Sequence, residues 1–504
     1  MPDPLQPLPA PRPLRWPEFV FTLQAALAEA AADVYLVGGV VRDAFWGLPS
    51  HDIDLAVARD AFPVARRIAN HFGGAFYKLD PARETGRAIV EVGGERLIVD
   101  VATFRGGDLL ADLRGRDFTL NAVAAPLSGD LTTVIDPLGG LHDAQQHILR
   151  RCGPASIADD PVRALRAVRQ SVRFGLRIDP TTLADIRRDG PRLLSTSPER
   201  VRDEFMIMLG GARPAAALRT LDALGLLELI VPEVVAMRGV PQSAPHHQDV
   251  WAHTLLTVER LADVIATIGP QRTPDSAAAA GPGMIVYYLD RFRAPLQAHL
   301  RQRWPNERTH IALLVLAALL HDSGKPATRQ DEGERIRYLG HEQIGAELAE
   351  ARGTALVLSR DEVTWLAAVV RQHMRPLLLD REARLTRRAI YRFWRDCGAA
   401  GLDVCLLALA DTLASAGPHL DPAAWSHFLQ TTGALLDGYF GVENPKVVDL
   451  PPLVSGGELM AALGLEPGPQ IGALLEAIRE AQATGLIHSP AEALALARKQ
   501  LPAD

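Results

Sequence analysis

Between residues 34 and 104 the apolar side chains come in short runs punctuated by polar residues: VYLVGG, DIDLAV, AIVEV and RLIVDVATF. Runs of this length, rich in valine and isoleucine, predict strands with helical stretches between them, followed by a helix from about Thr119. From about 151 to 240 the period changes. Val162, Leu165, Val168 and Val172 recur at spacings of three and four, which predicts helices with one buried face. Residues 241–430 keep the helical pattern, and GPQRTPDSAAAAGPG at 269–283 interrupts it as a low-complexity insertion. A proline-containing linker then opens a helical tail over 431–504. The expected fold class is therefore α+β. A proline-rich arm (1–24) precedes a small mixed sheet with helices (25–150) and an all-α neck (151–240). A second all-α domain (241–430, interrupted around 265–310) and the tail complete the chain. No solenoid repeat is present.

At 504 residues the chain exceeds what one core usually holds, which agrees with several domains. Its longest apolar run, IALLVLAALL at 311–320, has ten residues and ends in His-Asp. It falls short of the ~20 residues of a membrane span, so a buried helix and no membrane partner are expected. The arm holds seven prolines and no apolar signal-like stretch, so it is expected to be extended and mobile. Cys152, Cys397 and Cys405 are widely spaced and fit no metal or redox pattern, which points to a cytoplasmic protein. The net charge of −7 hides a local reversal: residues 150–220 hold fourteen arginines against eight acids. Lysine occurs only four times, leaving basic recognition to arginine, whose planar fork suits phosphates and base edges.

The strand DIDLAV carries Asp52 and Asp54 on one face, roughly 6–7 Å apart along the chain. Two carboxylates so placed repel unless a cation sits between them, and magnesium with phosphate oxygens resolves the conflict. Asp100, interrupting the apolar strand RLIVDVATF, is the candidate third acid. Gly38 and Gly39 form a turn whose backbone can approach a triphosphate closely, and Arg42 on the following helix can reach those phosphates. These pieces follow one another in strand–turn–helix–strand order, with thirteen residues from Gly39 to Asp52. In DDPVRALRAVRQSVRFGL (159–176), Asp160, Arg163, Arg166 and Arg169 recur every third residue, opposite Val162, Leu165 and Val168. An acid beside an arginine offers acceptor and donors together and can read a base edge without a template.

LVGGVVRDAFWG followed by HDIDLAV resembles the signature of the class II tRNA nucleotidyltransferase and poly(A) polymerase family. GRDFTLNAVA (115–124), IDPLGGLHD (135–143) and DDPVRALRAVRQSVRFGL resemble its further motifs, in order, over residues ~34–230. The resemblance implies a polymerase-beta-like nucleotidyltransferase head that uses Mg2+ at Asp52 and Asp54. Arg116 and Asn121 would lie near the incoming nucleotide, and Asp160 with Arg163 would read C or A. Asp159 stands where the family often has Glu, and no role is assigned to it. The implied activity is template-independent addition of CCA to the tRNA 3′ end from CTP and ATP.

Further along, HHQDVWAHTLL, ALLHDSGK, GHEQIGAEL, VVRQHMRP and LALADTLA resemble, in order, the helices of HD phosphohydrolases. The resemblance implies that His253, His321, Asp322 and Asp411 bind one divalent metal, and that His341 and His373 widen the site to two. The tail resembles that of HD-containing members, and its GLEPGPQIG loop offers backbone N–H groups to a phosphate. The motifs leave CCA, CC-only, A-only and poly(A) addition open, and the HD set favours CCA. An RNA-binding regulator, or an HD hydrolase with a nucleotide-sensing head, is the reading from another class.

Overall fold

The computed structural model describes residues 3–28, 34–82, 84–269, 280–333, 335–382, 384–442 and 446–501. The centre of the expected insertion, 270–279, lies outside them. The chain divides into two compact units, Met1–Thr196 with Leu224–Leu226, and Ser197–Ala223 with Leu227–Asp504.

In the first unit the arm is extended but docked. Leu8–Pro9 pairs with Thr133–Val134, and Trp16 Nε1 donates to the Leu131 carbonyl at 2.9 Å. Helix α1 (Glu18–Ala26) then buries Phe19, Val20 and Leu23, so the ordered fold begins before residue 25. The sheet has six strands: β1 (Val34–Val37), β2 (Asp52–Val57), β3 (Ala75–Asp80), β4 (Thr85–Val92), β5 (Glu95–Thr103) and β6 (Ala124–Pro126). Their order is β3-β4-β5-β2-β1-β6, with β2 and β5 parallel and the other pairs antiparallel. Helix α2 (Gly39–Trp46) connects β1 to β2, and α3 (Ala61–His71) packs on the sheet through Ala65 and Ile68.

Two strands are absent from the apolar pattern for physical reasons. β3 is an edge strand whose side chains are mostly exposed, and β6 is only three residues long. The helix expected from Thr119 is a single 3-10 turn, Thr119–Asn121, because the chain must straighten at Ala124 to pair with β1. Helix α4 runs from Val162 to Phe174 and not from 159. Pro161 disfavours helical geometry in the residue before it, and Asp160 takes φ −145°, ψ 93°. The acid therefore stands ahead of the arginine helix and not on its stripe. Val162, Leu165 and Val168 are buried as expected.

The second unit is helical: α5 (Val250–Ile268), α6 (Arg293–Leu300), α7 (His310–Leu320), α8 (His341–Ala355), α9 (Arg360–Gln372), α10 (Arg387–Cys397) and α11 (Gly401–Ala416) lead into tail helix α12 (Pro469–Ala483). The run IALLVLAALL lies in α7, buried throughout from Ala312. Residues 387–419 have the length and composition of a membrane span, but 83% of their apolar window is buried inside the protein. Gly398, at φ +53°, breaks the stretch between α10 and α11. The tail has its own apolar core around Leu459, Leu474 and Ile478, and Arg392 of α10 donates to Glu480 of α12 at 2.9 Å.

Candidate functional site

Parallel pairing of β2 and β5 sets Asp54 directly beside Asp100. Because side chains alternate along a strand, Asp52, Asp54 and Asp100 share one face of the sheet. Antiparallel β4 adds Arg87 opposite Asp100. Both Asp100 oxygens accept from Arg87, each at 2.8 Å, so this acid already has a cation. Asp52 is exposed and Asp54 half-buried. Burial is the main cause that pushes the Asp54 carboxyl up to about 6; Arg116 opposes it, and Asp100 and Asp52 add to it.

Gly38 closes the other side. Its φ of +76° favours glycine, and a Cβ there would stand 2.8 Å from Asp54 Oδ2 and 3.2 Å from Arg116 Nη1. Arg116 is oriented by Asp112, to which its Nε and Nη2 donate at 3.1 and 2.9 Å. A glycine turn, a carboxylate pair and a tethered guanidinium therefore meet at one end of β1 and β2.

The arginines expected to meet the nucleotide are more occupied than the sequence suggests. Arg42 is buried; its Nε and Nη2 donate to Asp43 at 2.9 and 2.7 Å, and Nη1 donates to Asn121 Oδ1 at 2.8 Å. Its guanidinium lies 4.5 Å from the Phe174 ring centroid. Asn121 passes the contact on, donating to Asp117 at 3.0 Å and Gln170 at 3.1 Å. Arg166 donates from Nε to Asp117 Oδ2 at 2.9 Å. Burial raises the Asp117 pKa, but Arg166, Asn121 and the Phe118 N–H outweigh it and hold the carboxyl below its ordinary range. Arg163 donates to the carbonyls of Gly115 at 2.8 Å and Arg116 at 3.2 Å, and its Nε stands 4.0 Å from Asp160. Arg169 is half-buried on the same helix. Asp117 and Gln170, both buried, join this chain without having been expected from the sequence, Asp117 beside Arg116 and Gln170 on α4.

In the second unit the six expected ligands converge, all buried. His253, His321 and Asp411 place donor atoms within 4.8 Å of one another, as do Asp322, His341 and His373. Asp322 joins the two groups. Its Oδ2 stands 3.2 Å from His321 Nε2 and 3.6 Å from His253 Nε2, while Oδ1 is 3.5 Å from His341 Nε2 and 4.0 Å from His373 Nε2. Asp322 thus faces His253 and His321, with Asp411 beside them, through Oδ2, and His341 and His373 through Oδ1, which is the arrangement that one four-donor group widened by two histidines requires. His321, His341 and His373 each anchor Nδ1 on a backbone carbonyl at 2.7–2.8 Å, which turns Nε2 inward. Among the described residues, buried His321 Nε2 has no well-aligned hydrogen-bond partner, as expected of a donor that fits a divalent ion, whereas Asp322 Oδ2 already faces the Lys325 ammonium. Burial, with His321 and His341, pushes His373 down to about 3 and keeps it neutral for ligation. Two neighbours escaped the motif: His246 lies edge-on to His253 at 4.6 Å, and Lys325 Nζ stands 2.7 Å from Asp322.

Fold and sites together define a nucleotidyltransferase-type head joined to a helical domain with a buried histidine–aspartate cluster able to hold metal; both kinds of domain are metal-dependent. Residues 34–150 match the poly A polymerase head domain, 175–237 the probable RNA and SrmB-binding site of polymerase A, and 294–416 the HD domain. The A-adding tRNA nucleotidyltransferase of Deinococcus radiodurans is 34% identical over 475 residues, spanning 92% of this chain and 94% of that protein. The CC-adding tRNA nucleotidyltransferase of Thermus thermophilus is 32% identical over 473 residues, spanning 92% of each. The Thermotoga maritima CCA-adding enzyme complexed with tRNA shares the fold, with a TM-score of 0.57 at 21% identity, covering 96% of this chain and 95% of that one. The chain belongs to the tRNA nucleotidyltransferase and poly(A) polymerase family.

Proposed function

We propose that the protein extends the 3′ end of tRNA, adding C and A from CTP and ATP with release of pyrophosphate, in the cytoplasm. The observation that carries this reading is the shared face of Asp52 and Asp54 behind the Gly38 turn. Mg2+ held by Asp52 and Asp54 would neutralise the triphosphate and favour ionisation of the terminal ribose hydroxyl. The hydroxyl oxygen attacks the α-phosphorus, the bond to the β-phosphate breaks, and pyrophosphate leaves. Gly38 and Gly39 admit the phosphates, and Arg116 stands against them from the Asp54 side. Arg42 and Asn121 position this wall, since their polar atoms are engaged with Asp43 and Asp117. Asp100 acts through its field on Asp54, because its own oxygens hold Arg87. Asp160 with Arg163 reads the base edge, and Arg166 and Arg169 continue the wall behind it.

Asp52→Ala is expected to abolish CTP and ATP incorporation while leaving tRNA binding intact; retained incorporation overturns the reading. In the second unit the same logic gives a metal-dependent phosphohydrolase built on His253, His321, Asp322, His341, His373 and Asp411. His321→Ala is expected to remove phosphodiester hydrolysis without touching nucleotide addition.

A second reading has its own support, since relatives that span over nine-tenths of this chain are named for adding A or CC alone. tRNA lacking CCA, or ending in C or in CC, incubated with each single nucleotide separates the readings. Incorporation of both C and A supports the first, and of one base only the second.

A further inference from the structure

A second cluster in the helical unit lies outside every motif. His299 on α6, His310 at the start of α7 and Asp403 on α11 are 9%, 3% and 0% exposed. Asp403 Oδ1 lies 3.0 Å from His299 Nε2 and 2.9 Å from His310 Nε2, and the two rings stand 4.4 Å apart. The three donor atoms fall within 4.8 Å of one another, as in the two HD groups, where His253 and Asp411 are 3.0 Å apart.

This arrangement has an electrostatic difficulty of its own. Among the described residues, the ion-pair partners of Asp403 within 4.0 Å are these two imidazoles. A carboxylate at 0% exposure needs a countercharge. An imidazolium would supply one only by being buried itself, at a further desolvation cost. A divalent cation supplies the charge while accepting both imidazoles in neutral form. A tetrahedral ion with bonds near 2.0 Å spaces its donors about 3.3 Å apart, close to the 3.0 and 2.9 Å that separate Asp403 Oδ1 from the two imidazole nitrogens. The His310 ring is already held for such a bond: Trp304 stacks on it with an interplanar angle of 9°, and Trp365 meets it edge-on at 5.1 Å.

We propose that His299, His310 and Asp403 form a third metal site of this unit, which takes a first-row divalent transition metal of the zinc class. Two imidazoles and one carboxylate suit zinc, iron or nickel and not the all-oxygen shells of magnesium or calcium. The site is separate from the HD centre although the same helices carry both. His310 precedes His321 by eleven residues on α7, and Asp403 precedes Asp411 by eight on α11. At 1.5 Å per residue these spans are about 16 and about 12 Å, too far for a shared ion. The ion staples α6, at the end of the expected insertion, to the two helices that present the HD ligands.

The test counts metal on the full-length chain. Asp52→Ala, His321→Ala and Asp322→Asn combined disable the head and HD centres, and Co2+ then serves as the probe. After stripping, reloading and desalting, one Co2+ per chain with a visible ligand-field band is expected. Adding His310→Gln or Asp403→Asn is expected to remove both the ion and the band. No retained Co2+ in the combined variant overturns the site, without requiring any triad variant to fold. Retention of one full equivalent in folded His310→Gln overturns it equally.

Discussion

One methyl group tests the glycine turn of the head. Gly38→Ala forces a side chain into φ +76° and puts its Cβ 2.8 Å from Asp54 Oδ2. Gly73, at φ +65°, carries similar strain with nothing within 4 Å of a Cβ. Both substitutions are expected to cost about 1–2 kcal/mol in urea unfolding. Only Gly38→Ala should also lower nucleotide incorporation, by at least about tenfold, since about 1.4 kcal/mol of misplacement suffices. Equal activities in the two variants would show that Asp54 is not held by this contact. Asp54 itself sets a pH dependence. Its carboxyl, pushed up to about 6 from 3.8, binds a proton in the folded, metal-free protein that the unfolded chain has already lost. Metal-free stability should therefore fall as pH rises from 3.8 towards 6 and level off above it. Metal competes with that proton, so Mg2+ affinity should drop about tenfold per pH unit below the folded-state value. Mn2+ titrations followed by electron paramagnetic resonance at pH values on either side of 6 check this; affinity that holds until the ordinary carboxylate range contradicts it.

At the scale of elements, the wall proposed to stand behind the nucleotide is a hydrogen-bonded chain from α2 through the 119–121 turn to α4. Removing Arg166 leaves Asp117, at 7% exposure, without its cation. Arg166→Ala is expected to cost about 2–3 kcal/mol, less than a wholly buried pair because the Arg166 side chain reaches solvent. Asp117→Asn in the same chain should recover about half of that loss, since the amide needs no countercharge. A urea-denaturation double-mutant cycle measures the coupling, and additive losses would mean that the pair does not act as a unit. This chain also shows where sequence reading stops. Asp52 and Asp54 were legible because period two puts both on one face, and a lone polar pair in an apolar strand needs a reason. Asp117 was not, because its partners sit four and forty-nine residues away and no local period links them. The HD ligands were legible as His-Asp at the end of an apolar helix, whereas the bridging of Asp322 depends on how α7, α8 and α9 pack. Pro161 was in plain view, and it alone moves Asp160 off the arginine stripe.

For the molecule as a whole, the question is how a chain of net charge −7 could hold the RNA proposed as its substrate. The sequence excess over 150–220, fourteen arginines against eight acids, is smaller in effect than in number. Arg150 pairs with Asp143 and Asp179, Arg151 with Asp185, Arg166 with Asp117, and Arg188 with Asp185 and Asp189. These arginines hold the first unit together and have little charge left for phosphates. Arg177, Arg187 and Arg192 differ: they are exposed on the segment that follows α4. If they supply the phosphate contacts, each should release about one counterion on binding, so the slope of log affinity against log salt measures them directly. Replacing all three by alanine is expected to flatten that slope by about 2–3 for tRNA, with kcat at saturating tRNA unchanged. Replacing Arg150 and Arg188 should instead lower thermal stability and leave the slope near its original value. A triple variant with an unaltered slope would place RNA binding elsewhere. A changed slope after Arg150 or Arg188 replacement would mean that these ion pairs open to the RNA, and the local charge sum would then be the better guide to binding than the pairing in the free protein.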